Sequence, residues 1–263
     1  MPAAAALRLQ IEHALASRFP SALTPAPCAL REVAATGIEE ADRLLDGGLP
    51  VGAISEITGP ASSGRTSLAL SFLARRTAEA RVCAWVDTND AFDPESAAAN
   101  GVDLRQMLWV RCQERRQPQP RAGRAPQSEK AKPWTKLDQA LRATDLLLQA
   151  AGFAAIVLDL GDTAPEHGNR IPLASWFRFR QAADRTRCSL VVLGQAAYAQ
   201  SSAAVALECS PLEAETAGDT VLRGFTFRLL RGRQRFTSIS PAPRRPPVST
   251  WSAHSTWDTE KRA

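Results

Sequence analysis

The sequence of 263 residues lacks the features that define several classes of protein. No apolar run approaches the ~20 residues that a membrane-spanning helix needs, so we predict no membrane contact. Arg8, Glu12 and His13 interrupt the apolar start of the chain, and we expect no signal peptide there. Five cysteines and three histidines occur, with no C-x-x-C pair. This pattern argues against a disulfide framework or a cysteine–histidine metal site and favours the reducing cytoplasm.

Lysine is also scarce, because it occupies four positions and arginine provides the remaining 28 of the 32 basic residues. The net charge of +5 is concentrated in two segments. Residues 111–136 contain eight basic and two acidic side chains, and residues 228–245 contain six arginines and no acid. Such segments contact nucleic acid or an acidic protein face, or they form an ordinary solvated surface.

Strands and helices alternate along the middle of the chain. We predict helices at residues 36–46, 66–80, 137–151 and 173–186, the first with Thr36 as N-cap and Glu39 three residues later. We predict strands at residues 53–58, 82–86, 153–160, 189–194, 224–230 and 234–239, the last two joined at Arg231-Gly232-Arg233. This alternation indicates an α/β fold with a mostly parallel sheet flanked by helices.

Composition divides the chain into three parts. Residues 1–29 are predicted to form an N-terminal helix, over residues 7–19, and a linker rich in proline and alanine. Residues 30–240 form the core, with residues 113–135 as an inserted basic loop of low apolar content. Residues 241–263 are rich in proline, serine and arginine and are predicted to be a disordered tail.

One motif carries most of the chemistry. It matches the phosphate-loop (P-loop) pattern G-x-x-x-x-G-K-[ST] with an arginine in place of the lysine. Its residues are Gly59, Pro60, Ala61, Ser62, Ser63, Gly64, Arg65 and Thr66, followed by Ser67. The glycines let backbone N–H groups turn toward phosphate oxygens, and the following helix adds the positive end of its dipole. We therefore predict that ATP or ADP binds here with magnesium held by Thr66, the alternative being a flexible Ser/Gly turn.

A second residue of such a site would be an acid at the end of a later buried strand. Asp159 follows the apolar run Phe153 to Leu158 and fits this position. We predict that Asp159 assists in holding the magnesium, the alternative being that it only caps the next loop.

Further stretches, in chain order, resemble RecA. They are Thr36-Gly37, Gly47 to Gly52 and Glu56 to Gly64, then Ala84 to Asp87, Ala91 to Pro94 and Gly101-Val102-Asp103. Gln195 follows a strand, as does the RecA glutamine that senses the terminal phosphate. The resemblance covers about residues 30–240 and implies a RecA-like P-loop core.

The chain also departs from the RecA pattern. Arg65 replaces the P-loop lysine, and Asn89 stands where RecA has the acid that activates water. Asp90 is the neighbouring carboxylate that could substitute for it. The segments that correspond to the two DNA-binding loops, residues 161–172 and 196–206, are short and poor in glycine. We expect a weakened ATPase, because an amide accepts no proton and the arginine fork differs from a lysine ammonium.

A RecA-like body with these departures and a basic tail resembles the ImuA family. That resemblance implies an adaptor in SOS-induced mutagenic translesion DNA synthesis, with RecA and an ImuB-like polymerase homologue as partners and a cytoplasmic, nucleoid-associated location. The segment from Ile11 to Phe19 resembles the RecA segment that docks on a neighbouring protomer. It is a candidate for self-association or RecA binding, or else an amphipathic helix that covers the core.

Two other hypotheses remain open. The chain could be an active DNA-dependent ATPase or recombinase, because Thr66, Asp159 and Gln195 are all present. It could also be a nucleic-acid-binding module, in which the basic segments follow a single-stranded DNA backbone and Trp134 stacks on a base.

Overall fold

The computed structural model describes residues 29–113, 135–217, 221–238 and 248–254. Six helices lie in these ranges: α1 Glu39–Leu44, α2 Arg65–Ala78, α3 Pro94–Ala99, α4 Lys136–Ala150, α5 Pro165–Gly168 and α6 Leu173–Thr186. The first eight strands are β1 Ala29–Arg31, β2 Val33–Ala34, β3 Leu49–Pro50, β4 Ile54–Thr58, β5 Cys83–Asp87, β6 Met107–Arg111, β7 Ala155–Asp159 and β8 Ser189–Gly194. The last four are β9 Ala203–Ala217, β10 Val221–Gln234, β11 Phe236–Ser238 and β12 Val248–His254. Two 3₁₀ turns, Leu104–Gln106 and Gln200–Ser202, complete the elements.

The main sheet has eight strands in the order β12-β10-β9-β4-β8-β7-β5-β6. Strands β9, β4, β8, β7, β5 and β6 run parallel to one another, whereas β10 pairs antiparallel with both β9 and β12 at one edge. Helices cover both faces and bury an apolar core on each: Phe72 and Trp85 lie in one, Trp176 and Phe179 in the other. The predicted α/β fold is confirmed.

Most of the predicted core elements lie where the sequence placed them. Helix α6 and strand β8 have the predicted bounds, and β4, α2, β5, α4 and β7 differ from them by at most two residues. These elements have a clear apolar period and end at glycine, proline or a charged residue, so local sequence determines their limits.

The prediction that Thr36 caps the first helix is wrong. Helix α1 begins at Glu39 with Ile38 at its N-cap, and no side chain caps it. The hydroxyl of Thr36 donates instead to Asp42 Oδ1 at 2.7 Å, and the backbone N–H of Thr36 bonds the same oxygen. Gly37, with φ +85°, turns the chain between Thr36 and the helix, so the helix starts later than the capping pattern predicts.

The prediction of two short late strands is also wrong. Strand β10 continues through Arg231-Gly232-Arg233 and pairs along most of its length with β9, a strand that the sequence did not predict. A register shift lies between Arg231 and Arg233. A strand tolerates glycine at such an irregularity, so Gly232 marks a bulge and not a turn. Strand β11 is short and pairs parallel with β1.

The prediction of a disordered tail fails for residues 248–254, which form β12 against β10. Trp251 is 6% exposed, and its ring centroid lies 4.8 Å from that of Phe227. The free edge of β10 orders this segment despite its polar composition. Residues 241–247 and 255–263 of the predicted tail, the predicted N-terminal helix and most of the inserted loop lie outside the described residues. Within the described ranges, no helix has the length and apolar character needed to cross a membrane.

Candidate nucleotide-binding site

The P-loop lies between β4 and α2, at the carboxyl edge of the sheet. Its two glycines are required by close packing. Gly64 has φ +86°, and a Cβ there would lie 2.8 Å from the ring of Phe227. A Cβ on Gly59 would overlap the carbonyl oxygen of Cys209. Any side chain at either position would push the loop away from β9 and β10.

The start of α2 is suited to an anion. Gly64 occupies its N-cap, and no side chain caps it, so the first N–H groups have no partner within the helix. Ser63 is 1% exposed, and its hydroxyl has no hydrogen-bond partner among the described residues. Beside the loop lies a cavity of about 210 Å³, whose far wall is formed by Phe225 and Phe227. The loop therefore fits the phosphates of a nucleotide.

The side chain of Arg65 points into the protein. It is 8% exposed, and its guanidinium group donates hydrogen bonds to three backbone carbonyl groups. Nη1 donates to the oxygens of Gly59 and Gly194, the latter at 2.9 Å. Nη2 donates to the oxygen of Gly161 at 3.3 Å. Arg65 thus links the segments that follow β4 and β7 to the last residue of β8.

Asp159 ends β7 and shares a cavity of about 250 Å³ with Arg65 and Thr66. Its Oδ1 accepts a hydrogen bond from the N–H of Gly161 at 2.9 Å. Burial raises the pKa of Asp159 to about 6. The structure therefore brings Thr66, which is exposed, and Asp159 into one cavity. Their role as magnesium ligands stays a prediction.

Gln195, which follows the last residue of β8, contacts Gly161 at the edge of the cavity that holds Asp159. Its Nε2 donates to the carbonyl oxygen of Gly161 at 3.1 Å, and Arg65 donates to that same oxygen. A movement of Gln195 would therefore affect Arg65, because both side chains donate to the carbonyl oxygen of Gly161.

Asn89 and Asp90 do not line the cavity that holds Thr66 and Asp159. Asp90 has φ +62° and forms two hydrogen bonds of 2.7 Å with the guanidinium group of Arg111. These bonds lower the pKa of Asp90, which makes it a weaker base. Asn89 lines a larger cavity on the other side of Asp162.

Sequence reasoning gave no functional role to Glu56, a fully buried acid in the middle of β4. Its Oε1 accepts hydrogen bonds from the backbone N–H groups of Tyr198 and Ala199, the latter at 2.7 Å. Burial raises its pKa. Glu56 thus fixes the segment that follows Gln195. A single acidic residue within an otherwise apolar strand is the sequence feature that could have predicted this structural role of Glu56.

The described residues contain no cluster of three or more histidine, cysteine, aspartate or glutamate side chains that could hold a metal ion alone. Thr66 and Asp159 offer two oxygen ligands, which is typical of sites where Mg²⁺ also binds substrate phosphates and water. The residues present therefore fit magnesium that arrives with a nucleotide.

Part of the chain is similar in sequence to known proteins. A family model described as the RecA N-terminal domain matches residues 28–119. Protein RecA of Allorhizobium ampelinum is 31% identical over 179 residues, which cover 62% of this chain and 43% of that protein. Protein RecA of Brucella anthropi is 30% identical over 163 residues, covering 57% and 39%.

The fold gives a similar result. The crystal structure of the RadB recombinase superposes with a TM-score of 0.55 at 17% identity, covering 84% of this chain and 94% of that one. At that identity the likeness concerns the fold alone. The chain spans less than half the length of the curated relatives named above. Over part of its length the chain is thus similar in sequence to RecA proteins, and its fold is similar to that of RadB.

Proposed function

We propose that this protein is a RecA-like accessory factor of DNA repair that binds a nucleotide at the P-loop and hydrolyses it poorly. More specifically, it acts as an ImuA-type adaptor in SOS-induced mutagenic translesion synthesis. The observation that carries the proposal of weak hydrolysis is the inward position of the Arg65 guanidinium group.

The hydrogen bonds of Arg65 set its role. In a P-loop the cation at this position stabilises negative charge on the transferred phosphoryl group. Two of the nitrogens of Arg65 already donate to the carbonyl oxygens of Gly59, Gly161 and Gly194. Contact with phosphate at those nitrogens would break these bonds. The oxygens of Gly161 and Gly194 would keep a second donor, Gln195 Nε2 and the N–H of Gly59, whereas the carbonyl group of Gly59 would lose its bond, at a cost of about 1–3 kcal/mol. Arg65 therefore supports the loop more than it promotes chemistry.

The second reason to expect weak hydrolysis is that the segment after β5 offers no suitable base to activate the attacking water. Bound magnesium–ATP would supply the phosphoanhydride, and Thr66 and Asp159 would hold the metal. The side chain of Asn89 cannot take a proton from water. Asp90 is turned to Arg111, and its lowered pKa favours the ionised, weakly basic form. No carboxylate in this segment is therefore both free and suitably basic.

Steady-state ATP turnover, measured beside RecA with and without single-stranded DNA, tests the proposal. We expect turnover far below that of RecA under both conditions. Arg65→Lys alone should raise it if Arg65 limits the reaction, and only the double variant with Asn89→Glu should do so if both residues do. Arg75→Lys, on the exposed side of α2, is the matched control and should change nothing. Turnover at the rate of RecA would refute the proposal of weak hydrolysis.

A working DNA-dependent ATPase or recombinase is the second candidate, and one observation favours it. Thr66 and Asp159 share a cavity, and Gln195 bonds the carbonyl group of Gly161 at the edge of that cavity. An enzyme of this kind would show turnover that single-stranded DNA stimulates and that Thr66→Ala abolishes.

The adaptor role itself predicts protein partners. We expect the full chain to bind RecA and an ImuB-like polymerase homologue in a cytoplasmic, nucleoid-associated complex. Pull-down from extracts of damaged and undamaged cells, with the purified partners as a second step, tests this. Removal of residues 1–29 asks whether self-association or RecA binding depends on the segment Ile11 to Phe19. Failure to bind either purified partner would refute the adaptor role.

A further inference from the structure

The connection between β8 and β9 is unusually short. These strands run parallel on either side of β4, and only residues 195–202 join them. Parallel strands normally need a crossover of about a dozen residues or more, which usually contains an α-helix. The connection begins after Gly194, which pairs with Thr58 at one end of β4. It ends before Ala203, which pairs with Ile54 at the other end. Residues 195–202 therefore run along the face of β4, and we call them the strap.

Glu56 fixes the centre of the strap. This acid lies in the middle of β4 and is fully buried. Its Oε1 accepts hydrogen bonds from the backbone N–H groups of Tyr198 and Ala199. A buried backbone donor without a partner is costly, and the strap has no regular secondary structure before the 3₁₀ turn at Gln200–Ser202. The carboxylate therefore supplies an acceptor that a helix at this place would supply from its own backbone.

The ring of Tyr198 is the second anchor of the strap. Tyr198 is 3% exposed, and its ring fills the space beside two glycines. A Cβ on Gly194, the last residue of β8, would lie 2.7 Å from Cε2 of the ring. A Cβ on Gly168, at the end of α5, would overlap Cε1. The ring therefore ties the strap to the end of β8 and to the segment after β7.

Two arginines hold the far end of the strap. Arg233, in β10, donates a hydrogen bond to the carbonyl oxygen of Gln200. Arg235, which follows β10, donates to the carbonyl oxygen of Ser201 at 3.0 Å. Both arginines belong to the basic segment of residues 228–245, so part of the charge of that segment has a structural role. The strap is therefore held at its centre and at its far end.

Gln195 is the first residue of the strap. Its side chain is exposed, and its Nε2 donates to the carbonyl oxygen of Gly161 at 3.1 Å, at the edge of the cavity that holds Asp159. Only two residues separate Gln195 from Tyr198 along the chain, and consecutive Cα atoms lie about 3.8 Å apart. The place of Tyr198 therefore limits where the amide group of Gln195 can reach.

From these contacts we propose that Glu56 is a positioning residue for Gln195. Together with the ring of Tyr198 it anchors the strap, and the anchored strap holds the amide group of Gln195 on the carbonyl group of Gly161. Arg65 donates to the same carbonyl group, so the arrangement extends to the P-loop. The effect of Glu56 on nucleotide affinity rests on the proposed function, whereas its effect on Gln195 does not.

Two NMR signals of the full chain report on the strap. The sequence contains one tyrosine, so incorporation of 3-fluorotyrosine gives a single ¹⁹F resonance, from Tyr198. Labelling of glutamine with ¹⁵N reports on the side-chain amide group of Gln195, whose resonances are identified by their loss in Gln195→Ala. The first signal follows the centre of the strap, and the second follows the group that the strap is proposed to position.

Four variants separate the roles of the contacts. Glu56→Met removes the acceptor, and Glu56→Gln keeps an oxygen that accepts both N–H groups. Glu213→Met, at an exposed acid of β9, is the matched control. Gly168→Ala leaves Glu56 in place and displaces the ring of Tyr198, so it tests the strap even if Glu56→Met does not fold. Thermal melting checks that each variant folds.

We expect Glu56→Met and Gly168→Ala each to move the ¹⁹F resonance toward that of free 3-fluorotyrosine, because the ring leaves its buried place. The amide resonances of Gln195 should move with it, toward those of a glutamine side chain without a hydrogen bond. Glu56→Gln should stay close to the wild type in both signals, and Glu213→Met should leave both unchanged. Recovery by glutamine distinguishes a hydrogen-bond acceptor that positions the strap from a general contribution to folding.

Affinity for a fluorescent ATP analogue is measured on the same variants. Glu56→Met should weaken it about threefold to tenfold, the effect of losing one hydrogen bond, because the carbonyl group of Gly161 loses one of the two side chains that donate to it. If the wild type binds no nucleotide, the proposal of nucleotide binding at the P-loop fails, and the two NMR signals still decide the role of Glu56.

Four results would overturn the inference. The first is a ¹⁹F resonance of folded Glu56→Met that equals that of the wild type, and the second is a change in Glu56→Gln as large as that in Glu56→Met. The third is a shift of the ¹⁹F resonance while the amide resonances of Gln195 stay in place. The fourth, in a chain that binds the ATP analogue, is unchanged affinity although both NMR signals move.

Discussion

Replacement of Asp159 by asparagine should make the folded protein more stable at neutral pH. Burial raises the pKa of this carboxyl group from 3.8 to about 6, and the N–H of Gly161 and the charge of Arg65 only partly oppose that rise. The ionised form is therefore held in the folded protein at an energetic cost. Such a cost is expected where a carboxylate is kept to bind a cation.

The magnitude follows from the two pKa values. The rise from 3.8 to about 6 corresponds to about 3 kcal/mol for the fully ionised group, and residual contact with solvent reduces this to about 2 kcal/mol. A raised pKa means that the folded state binds the proton more tightly than the unfolded state. The contribution of the group to stability is therefore complete below pH 3.8 and is lost as the pH rises through about 6. Roughly half of the loss, about 1 kcal/mol, falls between pH 5 and pH 8.

Urea unfolding of the wild type and of Asp159→Asn at pH 5 and pH 8, without magnesium or nucleotide, measures this difference. Other titrating groups are common to both proteins and cancel, and asparagine keeps an oxygen for the N–H of Gly161. The advantage of the variant should be about 1 kcal/mol larger at pH 8. Asp184→Asn, at a largely exposed carboxylate, is the control for the substitution itself. An equal difference at both pH values, or a smaller one at pH 8, would refute the reasoning.

Three further substitutions test other parts of the site. Arg65→Met removes three hydrogen bonds from a charged donor, although the oxygens of Gly161 and Gly194 keep a second donor each, and it should lower the free energy of unfolding by about 2–3 kcal/mol in urea titration. A loss below about 1 kcal/mol would contradict the buried position of the guanidinium group. Gly64→Ala places a methyl group at a residue with φ +86° and against the ring of Phe227. It should lower the free energy of unfolding by at least about 1 kcal/mol and weaken binding of a fluorescent ATP analogue. Unchanged binding would argue against the loop geometry. Trp251→Ala should lower the free energy of unfolding by about 3–5 kcal/mol if β12 is part of the core. Thermal melting that the substitution leaves unchanged would instead support the prediction that this segment belongs to a disordered tail.

The position of Phe227 shows how the edge of the sheet reaches the P-loop. The ring of Phe227 packs against Gly64 on one side and against Trp251 on the other. Strand β12, which pairs with β10 at the edge of the sheet, therefore supports a wall beside the candidate phosphate site. A change at this edge would reach the loop through Phe227, which lies between Trp251 and Gly64 in this chain of contacts.

The sequence by itself determined the P-loop and the elements around it. Gly59 and Gly64 set the loop, and the apolar run before Asp159 set the strand that brings this acid to the same edge as Thr66. These signals are local, because the backbone conformation of a glycine turn and the burial of a short strand depend on neighbouring residues.

Tertiary structure decided the rest. The direction of Arg65 depends on carbonyl groups supplied by Gly161 and Gly194, which lie about 100 residues and more further along the chain. The order of β12 depends on the free edge of β10, and the cavity that Asn89 lines depends on α4 and the segment after β7 lying side by side. No local pattern encodes these features, because each one arises where residues far apart in sequence exclude water together.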